Sequence, residues 1–415
     1  MNIKICPSKI RGSIKAPPSK SIMQRVIASA LFAKGTTIIQ NPSFCDDTET
    51  ALNIAEKLGA TIIRYKNKII ITGGFNPKQD IINCKESGLC LRMFIPIVAL
   101  HNSQMTLTGE KSLLKRPVSM IKNPLKELGV ECKTNNGLVP VTIKGPINGN
   151  KIIIDGSLSS QLLTGFLIAL PNHKFDTEII VKNLKSKPYI DLTIQVLNNF
   201  GIEIYNPDYQ LFNIKGSQSF QAIEYIIEGD WSGAAFILSA AALSGEVEIT
   251  GLNINSKQAD RSIIDVLQKI GATVITKQSS VKVFKNKLNS FFYDATHCPD
   301  LFPVLVVLAS FCNGMSVIKG INRLIYKESN RADVLKNEFE KMGVQIKIDG
   351  DNMIIKGGEI KNGIINSFND HRIVMAAAVT GVAAKEEIII NDYNCVSKSY
   401  PEFFKDFISI GGNVV

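Results

Sequence analysis

The sequence predicts an α/β protein that is built from a repeated module. One short pattern, an amphipathic helical stretch, then glycine, then a strand-like run, occurs six times, for example as AEKLGATI (55–62) and LQKIGATV (267–274). Successive glycines of the pattern are 70, 72, 70, 72 and 68 residues apart, and a regular period is typical of a repeated folding unit. These glycines are Gly59, Gly129, Gly201, Gly271, Gly343 and Gly411.

Each part of the module follows from its residues. Glycine directly after a helix fits the left-handed conformation of a helix C-terminus, where a side chain would be strained. Chance recurrence of this common helix end would explain one or two copies, but not six at even spacing. Because 415 residues exceed one ordinary hydrophobic core, we expect two domains with three modules each.

The composition indicates a globular protein of a reducing compartment. Hydrophobic residues make up 45% of the chain and charged residues 20%, and no run approaches the ~20 apolar residues of a membrane span. The first residues, MNIKICPSKIRG, lack the apolar segment of a secretory signal. Eight scattered cysteines and four separated histidines form no disulfide framework and no metal motif. We therefore expect a cytoplasmic protein with no metal and no cofactor.

The net charge of +10 raises the possibility of a nucleic-acid partner. The basic residues are, however, spread along the chain without the aromatic interleaving of a base-stacking surface. Of the 47 basic residues only nine are arginine. Since the planar guanidinium binds carboxylate or phosphate through two hydrogen bonds, these arginines are the candidates for anion sites.

Polar residues recur where helices are predicted to begin. In SIKAPPSKSIMQR (13–25), Lys20 and Ser21 lie at a helix N-terminus and Arg25 one turn further on, which favours an anion site. A capped helix with solvated charges is the alternative, and it explains any single motif equally well. The further motifs of this kind are ESGLCLRMF (86–94), LLKRP (113–117), DGSLSSQLLTGFL (155–167), KSKPYID (185–191), ATHCPD (295–300), YKESNR (326–331), FNDHR (368–372) and YNCVSKSYP (393–401).

Taken in order, these motifs resemble those of the 5-enolpyruvylshikimate-3-phosphate synthase family. The resemblance extends over essentially the whole chain and is most specific in KSxxxR, DGSxSSQ, SKPYID and NDHR. It implies two similar domains, each of three βαβαββ repeats (an inverse α/β prism), around an interdomain cleft. Domain I would be discontinuous, with residues 1–18 and 228–415, and domain II would comprise residues 19–227. The family's members act as monomers, so the resemblance implies a monomer.

The resemblance also implies a reaction and a set of site residues. The enolpyruvyl group of phosphoenolpyruvate is transferred to the 5-hydroxyl of shikimate 3-phosphate, with release of phosphate, on the route to chorismate and aromatic amino acids. Asp300 would accept the hydroxyl proton and Glu328 would protonate the methylene carbon. The residues implied for shikimate 3-phosphate are Lys20, Ser21, Arg25, Ser159, Ser160, Gln161, Ser186, Tyr189, Asp300 and Lys327. Those implied for phosphoenolpyruvate are Lys20, Gly88, Arg116, Gln161, Arg331, Arg372 and Lys398.

The chain departs from the family pattern at a few positions. Glu86 and Leu89 flank Gly88 where the family usually has Asn and Thr, so we expect an altered phosphoenolpyruvate pocket. Arg323 stands at a position often held by Asn, and Asn330 replaces the Asp of the usual KESDR. None of these changes removes a proposed acid, base or anion ligand.

Two other functions remain open at this point. The sister transferase that acts on UDP-N-acetylglucosamine shares the fold, but it begins with a Lys-Asn pair and carries a reactive cysteine in a mobile loop. Here the pair is Lys20-Ser21, and the segment around Arg116 has no cysteine. An RNA-binding or RNA-end-processing protein is suggested by the charge, but the chain has no nucleotide-binding fingerprint. Product formation with each acceptor would distinguish the two transferases, and RNA binding with a steep salt dependence would favour the third function.

Overall fold

The computed structural model describes all 415 residues, and they form two compact units. Unit 1 consists of Met1–Pro17 and Glu228–Val415, and unit 2 consists of Pro18–Ile227. None of the helices is both long enough and apolar enough to cross a membrane.

Twelve α-helices are distributed equally between the two units. In chain order they are α1 (Lys20–Ala30), α2 (Asp46–Lys57), α3 (Gly88–Val98), α4 (Lys122–Glu127), α5 (Gln161–Ala169), α6 (Lys187–Asn199), α7 (Trp231–Ser244), α8 (Ile263–Lys269), α9 (Phe302–Phe311), α10 (Arg331–Lys341), α11 (His371–Ala383) and α12 (Phe403–Ser409).

The strands are short, most of them with three to five residues. In chain order they are β1 (Asn2–Cys6), β2 (Arg11–Lys15), β3 (Thr36–Gln40), β4 (Thr61–Arg64), β5 (Lys68–Thr72), β6 (Ile81–Asn83), β7 (Gln104–Thr108), β8 (Glu131–Asn135), β9 (Leu138–Lys144), β10 (Lys151–Asp155), β11 (Thr177–Lys182), β12 (Ile204–Tyr205), β13 (Leu211–Ile214), β14 (Glu224–Ile226), β15 (Glu246–Thr250), β16 (Thr273–Lys277), β17 (Ser280–Phe284), β18 (Phe292–Asp294), β19 (Met315–Lys319), β20 (Gln345–Asp349), β21 (Asn352–Lys356), β22 (Gly363–Asn366), β23 (Ile388–Asn391) and β24 (Asn413–Val414).

The strands form six four-stranded sheets that share one arrangement. In each sheet an edge strand lies parallel to its neighbour, and the other two pairings are antiparallel, as in β6-β7-β9-β8. The elements of that module follow the chain order β6, α3, β7, α4, β8, β9, which is a βαβαββ unit. The parallel pair requires a crossover, and a helix provides it. The predicted α/β fold with a repeated module is confirmed.

The six glycines of the repeat adopt the backbone conformation that the sequence predicts. Their φ angles lie between 74° and 119°, in the left-handed region that glycine tolerates best. At Gly59 an added Cβ would also lie 2.2 Å from the carbonyl oxygen of Gly74. The helix therefore ends at the same point in every module, and the chain reverses into the strand β4, β8, β12, β16, β20 or β24.

Three modules take a strand from a distant part of the chain. In unit 2, β14 lies parallel to β3, although almost the whole unit separates them in sequence. In unit 1, β2 lies parallel to β15, and β1 lies antiparallel to both β23 and β24. The two segments that connect the units are joined within unit 1, where the Asp230 N–H donates to the Pro17 carbonyl at 2.7 Å.

In each unit three apolar helices form the centre of the core. In unit 1 these are α7, α9 and α11, which pack against one another, and nine of the ten residues of α9 are buried. In unit 2 the helices α1, α3 and α5 hold the same positions in their modules. The remaining helices are amphipathic and bury one face. Each of these central helices has a polar residue at its first position or within two residues before it, for example Lys20, Ser87 and Asp370. Each unit therefore gathers polar side chains at helix N-termini.

Candidate active site

In unit 2 the start of α1 is tied to the starts of α2 and α3. The ammonium of Lys20, the first residue of α1, lies 2.9 Å from Asp47 Oδ2, and both side chains are less than one-fifth exposed. Gln24, one turn further on, donates to the Ser87 hydroxyl at 3.0 Å. Ser87 is the N-cap of α3, and its hydroxyl accepts from the Cys90 N–H. These contacts hold Lys20 against α2, and Gln24 against the N-terminus of α3.

Arg25 connects α1 to α6. Its Nε donates to Thr193 Oγ1 at 2.9 Å, Nη1 to the Ser21 carbonyl at 2.6 Å and Nη2 to the Tyr189 carbonyl at 3.3 Å. Burial lowers the pKa of Arg25 to about 10, so the guanidinium stays charged at neutral pH. Arg25 therefore brings Ser21 and Tyr189 together and places positive charge beneath them. Ser186, three residues before Tyr189, is the N-cap of α6, with φ of 57°.

Gly88 and Arg116 are in close contact. Gly88 is the first residue of α3, and a Cβ built on it would lie 2.6 Å from Cζ, Nη1 and Nη2 of Arg116. The guanidinium therefore rests directly against the glycine backbone, in space that any side chain would occupy. Arg116 is 5% exposed and follows the 3-10 helix Lys111–Lys115.

Glu86, the unusual acid of this segment, bonds to the loop that leads to Arg116. Its Oε2 accepts from the Ser112 hydroxyl at 2.8 Å, and its Oε1 lies 3.4 Å from Lys111 Nζ. The carboxylate thus holds the 3-10 helix next to α3. The effect of Glu86 on a phosphoenolpyruvate pocket would therefore be exerted through the position of Arg116.

A second buried arginine joins the Arg116 segment to the start of α5. Arg92 Nη1 donates to Gln161 Oε1 at 2.8 Å, and Nη2 donates to the Pro117 carbonyl at 2.9 Å. Gln161 is the first residue of α5, and its N–H donates to the Ser159 hydroxyl at 3.2 Å. Ser160 is the N-cap of α5 and is almost fully buried. Most site residues predicted in unit 2 therefore lie at helix N-termini. Tyr189 lies in the first turn of α6, Arg25 in the second turn of α1, and Arg116 follows a 3-10 helix and contacts the N-terminus of α3.

In unit 1 the centre of the polar cluster is Arg331, the first residue of α10. Its three nitrogens donate to three carboxylates: Nε to Asp370 at 2.7 Å, Nη1 to Asp300 at 2.9 Å and Nη2 to Glu328 at 2.5 Å. Burial lowers the pKa of Arg331, but the three carboxylates more than offset this effect and raise its pKa above the usual value. Arg331 therefore stays protonated and fixes the proposed base and acid at one side chain.

Asp300 lies two residues before α9 and faces three cations. Its Oδ1 accepts from Lys327 at 3.2 Å as well as from Arg331, and its Oδ2 lies 3.3 Å from Arg372 Nη2. Neighbouring positive charge favours the ionised form of a carboxyl group. Burial lowers the pKa of Lys327 to about 8 despite the opposing effect of Asp300, and Arg323 is among the cations that lower it.

Asp370 organises the start of α11. It is fully buried, and its Oδ1 caps the helix by accepting from the Arg372 N–H at 3.0 Å. Arg372 Nη1 in turn donates to the Asp300 carbonyl at 3.1 Å. Lys398, the last residue of the 3-10 helix Tyr393–Lys398, donates to the Asn369 carbonyl at 2.6 Å. Hydrogen bonds and ion pairs thus join five of the site residues predicted in unit 1, namely Asp300, Lys327, Glu328, Arg331 and Arg372. The sixth, Lys398, is bonded to the residue before Asp370.

Sequence reasoning missed several residues of these clusters. Asp370 was visible in the NDHR motif, and its position before an apolar helix is a usable N-cap signal. Asp47 looked like an ordinary acid of a first helical turn, and nothing in the sequence indicated its contact with Lys20. Asn330, the departure in KESNR, donates to Asp333 at 2.6 Å on the protein surface.

Comparison with known proteins identifies the family. A family model described as EPSP synthase (3-phosphoshikimate 1-carboxyvinyltransferase) matches residues 6–407. The chain is 38% identical to the 3-phosphoshikimate 1-carboxyvinyltransferase of Clostridium novyi (strain NT), covering 99% of this chain and 98% of the relative. It is 39% identical to that of Clostridium perfringens (strain ATCC 13124), covering 98% of each chain.

Solved structures share the fold. EPSP synthase from Acinetobacter baumannii superposes with a TM-score of 0.85 at 24% identity, covering 100% of this chain and 99% of that chain. The enolpyruvyl transferase NikO from Streptomyces tendae superposes with a TM-score of 0.79 at 15% identity, covering 100% and 98%. At these identities the superpositions support the fold, whereas the sequence matches identify the relatives. The chain belongs to the EPSP synthase (3-phosphoshikimate 1-carboxyvinyltransferase) family.

Proposed function

We propose that the protein transfers the enolpyruvyl group of phosphoenolpyruvate to the 5-hydroxyl of shikimate 3-phosphate and releases phosphate. Family membership over nearly the whole chain supports the reaction class. The single structural observation that carries the proposal is the joining of Asp300 and Glu328 to one guanidinium, that of Arg331. Two carboxyl groups held together in this way can serve as the base and the acid of an addition to a double bond.

We assign the binding of shikimate 3-phosphate mainly to unit 2. Arg25 and the N-termini of α1, α5 and α6 supply positive charge and free N–H groups, which suit a phosphate and a carboxylate. Tyr189, which Arg25 holds by its carbonyl, offers a ring face to the substrate. The assigned residues are Lys20, Ser21, Arg25, Ser159, Ser160, Gln161, Ser186 and Tyr189, with Asp300 and Lys327 from unit 1.

Phosphoenolpyruvate carries a phosphate and a carboxylate, and we assign it mainly to arginines and lysines. Lys20 and Gln161 are shared with the shikimate 3-phosphate site. The planar fork of arginine suits both groups. Gly88 contributes by leaving room for the guanidinium of Arg116. The assigned residues are Lys20, Gly88, Arg116, Gln161, Arg331, Arg372 and Lys398.

The proton chemistry follows from the bonds that change. In the addition step the 5-hydroxyl oxygen bonds to C2 of phosphoenolpyruvate, Asp300 takes the hydroxyl proton, and Glu328 gives a proton to the methylene carbon C3. In the elimination step C3 returns a proton to Glu328, the C2–O bond to phosphate breaks, and the double bond returns. The proton held by Asp300 leaves with the phosphate, so both carboxyl groups regain their starting states. Arg331 stabilises both carboxylates whenever they are ionised, because it contacts each of them. No metal or cofactor is needed for the proton balance.

We further propose that the enzyme is a cytoplasmic monomer. All eight cysteines are free thiols and six of them are buried, which suits a reducing compartment. Size-exclusion chromatography with light scattering tests the proposal. A dimer mass at micromolar concentration would contradict the monomer.

The decisive assay is phosphate release from phosphoenolpyruvate with and without shikimate 3-phosphate. We expect release only when shikimate 3-phosphate is present, together with a new enolpyruvyl product. A parallel reaction contains UDP-N-acetylglucosamine in place of shikimate 3-phosphate. Turnover with that acceptor alone would overturn the proposal and favour the sister transferase.

A further inference from the structure

Unit 1 contains a buried carboxyl group for which the proposed reaction has no use. Asp260 lies in the 3-10 helix Ala259–Ser262 and is 1% exposed. Its Oδ2 accepts a hydrogen bond from the Ser232 hydroxyl. Its Oδ1 is buried without any hydrogen-bond partner. Because an unsatisfied buried carboxyl oxygen is costly, its persistence calls for an explanation.

Asp260 lies at the end of the core that carries the proposed base. Ser232 is the second residue of α7 and Arg372 is the second residue of α11, while Asp300 precedes α9 by two residues. These three helices pack on one another, and the charges of Asp300 and Arg372 both act on Asp260. The titratable groups around Asp260 are Asp230 beside α7, Asp300 and Cys298 before α9, Arg372 on α11 and Tyr293 on β18.

The cations around Asp300 give such a group a role. Asp300 faces Lys327, Arg331 and Arg372, and three cations stabilise its anion so well that it would be a weak base. A buried negative charge close to Asp300 has the opposite effect, because it makes protonation of Asp300 more favourable. Asp260 can supply this charge, because its carboxyl group is buried and is hydrogen-bonded to Ser232.

We propose that Asp260 is a positioning residue that raises the proton affinity of Asp300, so that Asp300 can accept the proton of the substrate hydroxyl. This inference rests on the proposed role of Asp300 as the base. The two carboxyl groups then titrate as a coupled pair. While Asp260 is ionised, its charge opposes the cations around Asp300. When Asp260 is protonated, that opposition is lost and Asp300 becomes the weaker base.

The direction of the pH effect follows from the environment of Asp260. Burial, and next the charge of Asp300, raise the pKa of Asp260 to about 7. As pH rises through this value Asp260 becomes charged and Asp300 becomes the stronger base. We therefore expect kcat to increase with pH on the acidic side of neutrality. The ionised form of Asp260 is buried at a cost to folding that is fully present above its raised pKa and declines as pH falls from that value toward the ordinary pKa of aspartate.

The test is the pH dependence of kcat in the Asp260→Asn variant. Asparagine keeps the shape and an oxygen that can accept from Ser232, but it cannot become charged. We expect kcat at pH 8 to fall about 10-fold and the acidic limb of the kcat profile to move down by about one pH unit. KM for both substrates should stay within about twofold, because Asp260 contacts neither. Asp265→Asn, an exposed acid on α8, is the matched control and should behave like the wild type.

Several outcomes would overturn the inference. A kcat profile of Asp260→Asn that superimposes on the wild type would show that Asp260 does not act on the base. A loss of kcat accompanied by a higher KM for both substrates and a lower melting temperature at pH 8 would indicate a structural role only. Asp300→Asn, measured in parallel, separates this inference from the proposed function. Wild-type turnover in Asp300→Asn would remove the proposed base itself, whereas loss of turnover there with an unchanged Asp260→Asn would refute only the role of Asp260.

Discussion

Replacing Gly88 by alanine should weaken phosphoenolpyruvate binding through Arg116. The new methyl group would lie 2.6 Å from three atoms of the guanidinium, whereas ordinary contacts between such atoms are about 3.5–4.0 Å. Arg116 must therefore move by about 1 Å. A displacement of that size weakens a positioned contact with a bound anion by on the order of 100-fold. The loss of one charge-assisted hydrogen bond gives a similar value. Such a bond contributes about 1.5–3 kcal/mol, and its loss would raise KM by about 10- to 150-fold.

Steady-state kinetics and a double-mutant cycle would check this prediction. We expect Gly88→Ala to raise KM for phosphoenolpyruvate by about 10- to 150-fold and to leave the affinity for shikimate 3-phosphate unchanged in calorimetry. Gly358→Ala is the control, since a Cβ there meets no atom within 4 Å. In an Arg116→Ala background the Gly88→Ala change should have little further effect, because the two positions act as one. Additive losses in the double variant, or an unchanged KM in Gly88→Ala, would refute the reasoning.

Three further predictions concern unit 1. Glu328→Gln should lose turnover far more than substrate affinity. It should also stop the exchange of deuterium from solvent into the methylene of phosphoenolpyruvate. Exchange at the wild-type rate would exclude Glu328 as the acid. Arg372→Lys should raise KM for phosphoenolpyruvate about 10-fold, because lysine keeps the charge but cannot reproduce the two contacts of Arg372 with Asp300. Binding of phosphoenolpyruvate at the wild-type level would remove Arg372 from the site. Because burial lowers the pKa of Lys327 to about 8, its charge is lost as pH rises through that value, and KM for shikimate 3-phosphate should rise above pH 8. A flat profile up to pH 10 would contradict the contact with Lys327.

The parts of the fold that depend on local sequence were predictable. A helix that ends in glycine and turns into a strand is encoded within about eight residues, and the six junctions have the predicted backbone conformation at Gly59 and its equivalents. The pairing of β1 with β23 and β24 was not visible, because it joins segments from opposite ends of the sequence. No local pattern reports contacts of that kind.

The site was predictable to a similar extent. Cations and hydroxyls at helix starts were recognisable because the helix N-terminus gives them a reason to be there. The environment of a carboxyl group was not predictable, because the sequence does not say which acidic residues become buried. Asp370 is fully buried between Arg331 and the start of α11, whereas Asp265 is exposed, and both precede or begin helices. The packing of the whole unit determines which of the two side chains is buried, and a local sequence pattern does not contain that information.

The sharing of strands between distant segments sets an order for assembly during synthesis. All strands of unit 2 are available once β14 has left the ribosome. Unit 2 can therefore fold while the rest of unit 1 is still being translated. β1 and β2 are made first, yet their sheet partners β15, β23 and β24 come far later. Throughout that interval the first 17 residues have unpaired strand edges, which are open to unwanted pairing with other chains. β1 and β2 therefore stay unpaired until β15, β23 and β24 have been translated.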